Sequence, residues 1–204
     1  MSNDTRRGAG RFCNHVVRNI VCSILAEKHD LKFIYGYANE IKMLGIPLFE
    51  SGTKMHEVLM YLYERHIDDY LKRDQINFNI YATDEFYQGK YSAFLVRNYL
   101  IKNHSSIMAA NCYKARYHKN NDVFVHVRLG DAVDSNPGYD YYDSILFALK
   151  NSTESYQNAY IASDSLDHSI CQRLITNHHM IPIAFDQVKT IMFGSTCRHI
   201  VLST

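Results

Sequence analysis

Between residues 119 and 204 the chain alternates short apolar runs with helix-spaced ones. "VFVHVRL" is followed by "YYDSILFALK", "NAYIASD", "LDHSICQRLITNH", "MIPIAF", "QVKTIMFG" and "HIVLS". Such alternation predicts a parallel sheet with helices on both faces. Residues 1–118 alternate in the same way with weaker strands. Val17, Val21, Ile24 and Leu25 share one face of a helix over 14–29, "LKFIYGY" and "INFNIYA" read as strands, and "NEIKMLGIPLFESG" reads as a short helix, a turn and a connection. Residues 54–73 repeat an apolar face at Met55, Leu59, Leu62 and then His66 or Ile67, which predicts one long amphipathic helix. "YSAFLVRNYLIKN" returns to helical spacing, and the polar run "YKARYHKNND" reads as a linker. The expectation is an α/β protein of two Rossmann-like lobes, 1–118 and 119–204, with mostly parallel sheets and a cleft between them.

Residues 123–131, "VFVHVRLGD", raise a chemical question, because a buried strand carries a histidine and an arginine. Successive strand side chains point to opposite faces. Val123, Val125, Val127 and Leu129 therefore form one apolar face, while Phe124, His126 and Arg128 share the other. His126 and Arg128 come at the carboxyl end, before a turn at Gly130 that tolerates positive φ. Ligands of open α/β sheets bind outside the carboxyl ends of the strands, and a guanidinium there presents a planar fork suited to phosphate. The plainer alternative is an edge strand with two solvated side chains.

Overall charge supplies no attraction for nucleic acid or an anionic membrane, since Lys+Arg 22 against Asp+Glu 21 leaves a net +1. Any phosphate affinity has to come from local placement. The five cysteines lie far apart without C-x-x-C spacing, which indicates neither a zinc knuckle nor a disulfide framework and points to a reducing compartment. "VVRNIVCSILA" is too short and too polar to cross a bilayer, and the polar "MSNDTRRGAGR" before it fits no secretory leader. A cytoplasmic protein without a membrane span is expected, so that Asn3, Asn103 and Asn151 in N-x-[ST] matches carry no glycan.

Two further loops stand at element ends. "RRGAGRFCNHVVRN" places Gly8 and Gly10 ahead of a helix, a junction that offers free N–H groups to an anion or a sugar hydroxyl. G-x-G-x-x-G spacing fails at Cys13 and no strand is expected before it, so a tail followed by a cap is the alternative. "YIASDS" ends an apolar strand in Asp164, which can hold a ribose hydroxyl or base edge. Alternatively Ser163 or Asp164 caps a helix beginning near Leu166.

Taken together and in order, these segments resemble the GT-B fucosyltransferases, both the α-1,2-fucosyltransferases and the protein O-fucosyltransferases. "GRFCNH" at 10–15 is similar to the family's G-R-[FL]-G-N-Q loop, "HVRLGD" at 126–131 to its H-x-R-x-G-D motif, and "YIASDS" to its strand ending in S-D-D. "YYDSI" at 141–145 resembles the Tyr-Tyr helix after the second motif, and "CRHIVLST" the start of a last motif that continues in F-S-W. The likeness spans most of the chain. Cys13 stands for a glycine, His15 for a glutamine, Leu129 for a second arginine and Ser165 for a second aspartate, and the sequence stops at Thr204, before F-S-W.

The resemblance implies a GT-B transferase, with an acceptor-side lobe at 1–118 and a nucleotide-sugar lobe at 119–204 that is incomplete at its carboxyl end. Fucose would pass from GDP-fucose to a glycan hydroxyl with inversion. Arg128 would hold the β-phosphate and stabilise charge as the sugar–phosphate bond breaks. His126 would support the diphosphate or orient the arginine, and Asn14 would stand near the reacting carbon and the acceptor. Gly10 and Arg11 would line the site, Asp164 would contact guanosine, Ser203 and Thr204 would contact phosphate, and Asp131 would brace the turn. Another nucleotide sugar, or an inactive transferase-derived binding protein, are the alternatives. No cofactor beyond the donor and no metal are implied: Asp134, Asp140 and Asp143 form no strand-end D-x-D, and His178–His179 lack a third ligand. Cys13 reads as structural, and His15, Asp131 and Glu27 remain equal candidates for a base.

Overall fold

The computed structural model describes residues 3–6, 11–83 and 89–202. The chain divides into two compact units, Met1–Ala110 and Asn111–Thr204, each built on a four-stranded, wholly parallel sheet.

In the first unit the elements run β1 (Asn3–Asp4), α1 (Phe12–His29), β2 (Phe33–Ile34), α2 (Ala38–Met43), β3 (Leu59–Leu62), α3 (Glu64–Lys72), β4 (Asn79–Ala82), α4 (Lys90–Lys102) and α5 (His104–Ala110). Sheet order is β2-β1-β4-β3. β1 was not expected, because none of its residues is apolar. Polar pairing holds it in the middle of the sheet instead: Asn3 is wholly buried, its Nδ2 donates to Lys32 O (2.8 Å) and Asn79 Oδ1 (3.2 Å), and its Oδ1 accepts from Ile80 N (2.6 Å). A strand therefore does precede the glycine loop.

The long helix expected over 54–73 is instead β3 followed by α3. A single helical face would bury Met55 with Leu62, yet Met55 is 52% exposed and Leu62 wholly buried. "VLMYLY" is rich in β-branched and aromatic residues, and its pairing with β4 overrides an accidental three- and four-residue spacing. α3 then buries Ile67 and Tyr70 one turn apart. α1 is buried around most of its girth, through Ile20, Val21, Cys22, Leu25 and Ala26, as a helix packed on several sides must be. It stops at Asp30 in the left-handed region (φ 57), whose carboxylate accepts from Thr53 N (3.1 Å) and Thr53 Oγ1 (2.6 Å).

The end of α1 also carries a titration with a definite sign. Buried His29 places Nε2 at 2.8 Å from Tyr70 O. Its pKa is lowered, first by burial, against the opposing Tyr70 bond, with further lowering from Lys28 and Lys54. An imidazole harder to protonate folded than unfolded leaves the unfolded state binding more protons. Its contribution is complete above the ordinary imidazole value of about 6.5 and is lost as pH falls from there through the depressed folded value. Urea midpoints between pH 8 and 5 are expected to fall for the native chain and to fall less for His29→Gln, which keeps a donor for Tyr70.

The second unit contains β5 (Val123–Val127), α6 (Tyr139–Lys150), β6 (Ala159–Ser163), α7 (Ser169–His178), β7 (Ile181–Pro182), α8 (Gln187–Gly194) and β8 (His199–Leu202). Its order β7-β6-β5-β8 is, counted from its own first strand, 3-2-1-4, the order of the first four strands of a Rossmann sheet. The two faces of β5 divide as its alternation predicts. Val123, Val125, Val127 and Leu129 pack with Tyr142, Leu146, Ile161, Leu174 and Val201. Phe124 packs on the other face with Ala162, Ile183, Phe193 and Cys197. α8 approaches that face closely because residue 194 has no side chain; a Cβ there would lie 2.8 Å from the Phe124 ring.

The polar run expected as a linker is structured and belongs to the second unit. A 3-10 turn at Lys114–Arg116 is fixed by the Arg116 guanidinium, which lies over the Phe193 ring (4.5 Å), donates to Thr196 Oγ1 (3.1 Å) and pairs with buried Asp122 (2.7 Å). Asn111 Nδ2 reaches Met192 O (2.9 Å). The units accordingly divide at Ala110–Asn111, ahead of the expected position. Among the described residues no helix is long and apolar enough to cross a membrane.

Candidate functional site

In an open α/β sheet, neighbouring connections leave on opposite sides at one point, and the crevice there takes ligands. In the second unit this switch lies between β5 and β8. Arg128 directly follows β5 and Asp164 directly follows β6, so both stand at adjacent strand ends beside the switch. His126 is half-buried within β5, in register with Ala162 on one side and Leu202 on the other.

Arg128 has a side chain 37% exposed, and its Nη2 lies 3.3 Å from both oxygens of Asp131. Such a long, solvated pair is worth at most about 1 kcal/mol. Gly130 does not take the positive φ expected of it; among the described glycines that region holds Gly45 and Gly138. The turn instead continues as a 3-10 segment, Gly130–Ser135. Two side chains anchor its start. Asn136 Nδ2 donates to Arg128 O (2.8 Å) and Tyr142 OH (3.1 Å), and Asp164 Oδ1 accepts from Leu129 N (3.0 Å).

That last bond revises the capping alternative. α7 begins at Ser169, not near Leu166, and its cap is His168, whose Nδ1 accepts from Ile170 N (3.3 Å). Exposed Asp164 ties the end of β6 to the turn after β5. Asp164→Ala is expected to cost about 1 kcal/mol, the worth of one such hydrogen bond, while Asp164→Asn keeps the acceptor and most of the stability. Urea unfolding of the two variants measures the difference.

In the first unit, Arg11 is exposed at the start of α1 and Asn14 is half-exposed in its first turn, with Asn14 N donating to Arg11 O (2.9 Å). His15, also in that turn, is buried against Tyr37, ring centroids 4.7 Å apart, and Phe12 meets the same ring at 5.6 Å. Tyr37 joins Arg6, Tyr35, Gly36, Asn39 and Glu40 around an open depression of about 470 Å3 at the carboxyl ends of β1 and β2. Sequence reasoning missed Tyr37, Asn39 and Glu40, although their place just after an apolar strand was a signal. It missed Asn136 too, whose signal was the Asn-Pro-Gly turn. Gly10, Ser203 and Thr204 lie outside the described residues.

The Tyr-Tyr pair braces this end of the second unit. Tyr142 is wholly buried, and Tyr141 OH reaches Leu202 O on β8 (3.4 Å). His178 and His179 take structural roles: His178 Nε2 is 2.8 Å from Asp143 Oδ1, and His179 ends α7 in the left-handed region (φ 53). Tyr139 OH donates to the same Asp143 oxygen (2.7 Å), and these contacts hold that carboxyl below its usual range. Compared with protein-family models, curated proteins and solved structures, the chain matches none.

Proposed function

We propose that the chain is a GT-B-type glycosyltransferase that moves fucose from GDP-fucose to a glycan hydroxyl, with inversion and without a metal ion. One observation of position supports this reading most: the segments that resemble the family's donor-site motifs end on adjacent strands, β5 and β6, beside the switch point of a Rossmann-ordered sheet. That placement is where an open α/β sheet takes a ligand. In this reading the two units are the two lobes of the GT-B fold, the first receiving the acceptor and the second the nucleotide sugar.

Each residue then has a physical task. Arg128 exchanges its loose contact with Asp131 for the diphosphate, whose fixed double charge competes well with one solvated carboxylate. His126 supports the same group, and Ser203 and Thr204 complete the phosphate contacts. Asp164 holds the turn that carries Arg128 and contacts guanosine with what its carboxylate leaves over. Arg11, Asn14 and the backbone after Gly10 serve the sugar and the acceptor.

Calorimetric titration tests the reading directly. GDP is expected to bind in the micromolar range, more tightly than UDP or ADP, with no change on adding EDTA. Absence of heat with every nucleoside diphosphate would overturn it. Leu129 and Ser165, standing where the family carries charged residues, favour one second reading, in which the same unit takes another nucleotide sugar. Tighter binding of UDP or ADP than GDP selects that one.

A further inference from the structure

We propose that the depression around Tyr37 is a carbohydrate site that holds the terminal pyranose of a neutral glycan; calling that sugar the acceptor rests on the transferase reading. One wall of the depression is the Tyr37 ring, which is 41% exposed and steadied by two others, Phe12 edge-on at 5.6 Å and His15 at 4.7 Å. The slightly positive C–H groups on one face of a pyranose stack on the negative face of such a ring. A ring already held in place loses little freedom when a sugar covers it.

The backbone beneath the ring points the same way. Tyr37 stands in the left-handed region (φ 56, ψ 28), which a bulky residue enters only against a steric cost. Strain of this kind gathers at ligand sites. Glycine would make the turn without that cost; tyrosine adds a ring that packs on Phe12 and His15 of α1 and leaves its remaining surface to solvent.

Charge and hydrogen-bonding capacity select the class of ligand. The cation lining the depression, Arg6, is spent on Asp4: its Nε lies 3.0 Å from both carboxylate oxygens and its Nη2 lies 2.6 Å from Oδ2. Glu40 adds a negative charge, so the depression does not favour an anion. Tyr35 OH is committed to Phe49 O (2.8 Å). Asn39 and Glu40, by contrast, have no side-chain hydrogen bond among the described residues. An amide both donates and accepts, and a carboxylate accepts from hydroxyls with charge-assisted strength. A stacking ring beside these two groups matches a polyhydroxylated ring that carries one apolar face. The volume of about 470 Å3 falls within the range of about 300–1,000 Å3 usual for small-ligand clefts, and its open side suits the end of a longer glycan.

Saturation-transfer NMR of the full chain with the methyl β-glycosides of galactose, glucose and N-acetylglucosamine tests the site. The native chain is expected to transfer saturation to at least one of them, most strongly on one face of the sugar ring. Tyr37→Gly, whose backbone suits the position, is expected to abolish the transfer, and Glu40→Gln, at a half-exposed position, to weaken binding about tenfold, both with unchanged circular dichroism spectra. No transfer to any glycoside in the native chain, transfer that persists in Tyr37→Gly, or displacement of the sugar by inorganic phosphate would overturn the proposal. Calorimetry with GDP keeps the two readings apart. GDP binding without glycoside binding removes this site and leaves the transferase, whereas glycoside binding without affinity for any nucleoside diphosphate does the reverse.

Discussion

Replacing Arg128 by alanine is expected to lower the affinity for GDP about 10- to 100-fold, the worth of a charge-assisted hydrogen bond to phosphate at about 1.5–3 kcal/mol. On the proposed reading, fucosyl transfer falls at least as far, because a cation beside the departing diphosphate contributes most when charge develops there. The fold should survive. Arg128 is over a third exposed and its contact with Asp131 is long, so the urea midpoint should stay close to that of the native chain. Arg128→Lys is expected to lie between, since an ammonium keeps the charge and loses the planar fork. Calorimetry and unfolding on the same three proteins separate a binding defect from a folding defect. Native GDP affinity in Arg128→Ala would remove the residue from the donor site.

The largest loss of stability is expected at Asn79. This wholly buried side chain accepts from Asn3 Nδ2 (3.2 Å) and His56 N (3.0 Å) and donates to His56 O (2.5 Å). Alanine leaves the His56 N–H and C=O without these partners and opens a cavity, at a cost of about 3 kcal/mol. That is a large share of the 5–15 kcal/mol that ordinarily holds a domain together. Denaturant titration followed by circular dichroism measures it, and a shift below about 1 kcal/mol would mean that water replaces the amide.

These two residues also mark where sequence was informative and where it was not. Arg128 is reached from pattern alone: apolar residues at every second position assign the two faces of β5, and the ends of strands in an alternating fold are the places to look. Asn79 is not reached that way, because it works through partners at residues 3 and 56, and no local pattern announces a polar side chain that substitutes for core packing. β1 was illegible for the same reason. β3 was misread because Met55, Leu59 and Leu62 happen to fall at helical spacing, and pairing with β4 decided against it. In the candidate site, the position of Asp164 at a strand end was legible. Its bond to Leu129 was not, since a parallel neighbour joins residues far apart in the chain.

The polar seam through Asn3 has a consequence for anyone who trims this chain. Terminal segments are ordinarily expendable, because they sit at margins that fray without harm. Here Asn3 and Asp4 form an inner strand of an open parallel sheet, bonded to β2 on one flank and β4 on the other. Cutting them away would not shorten a border; it would separate β2 from the β4–β3 pair.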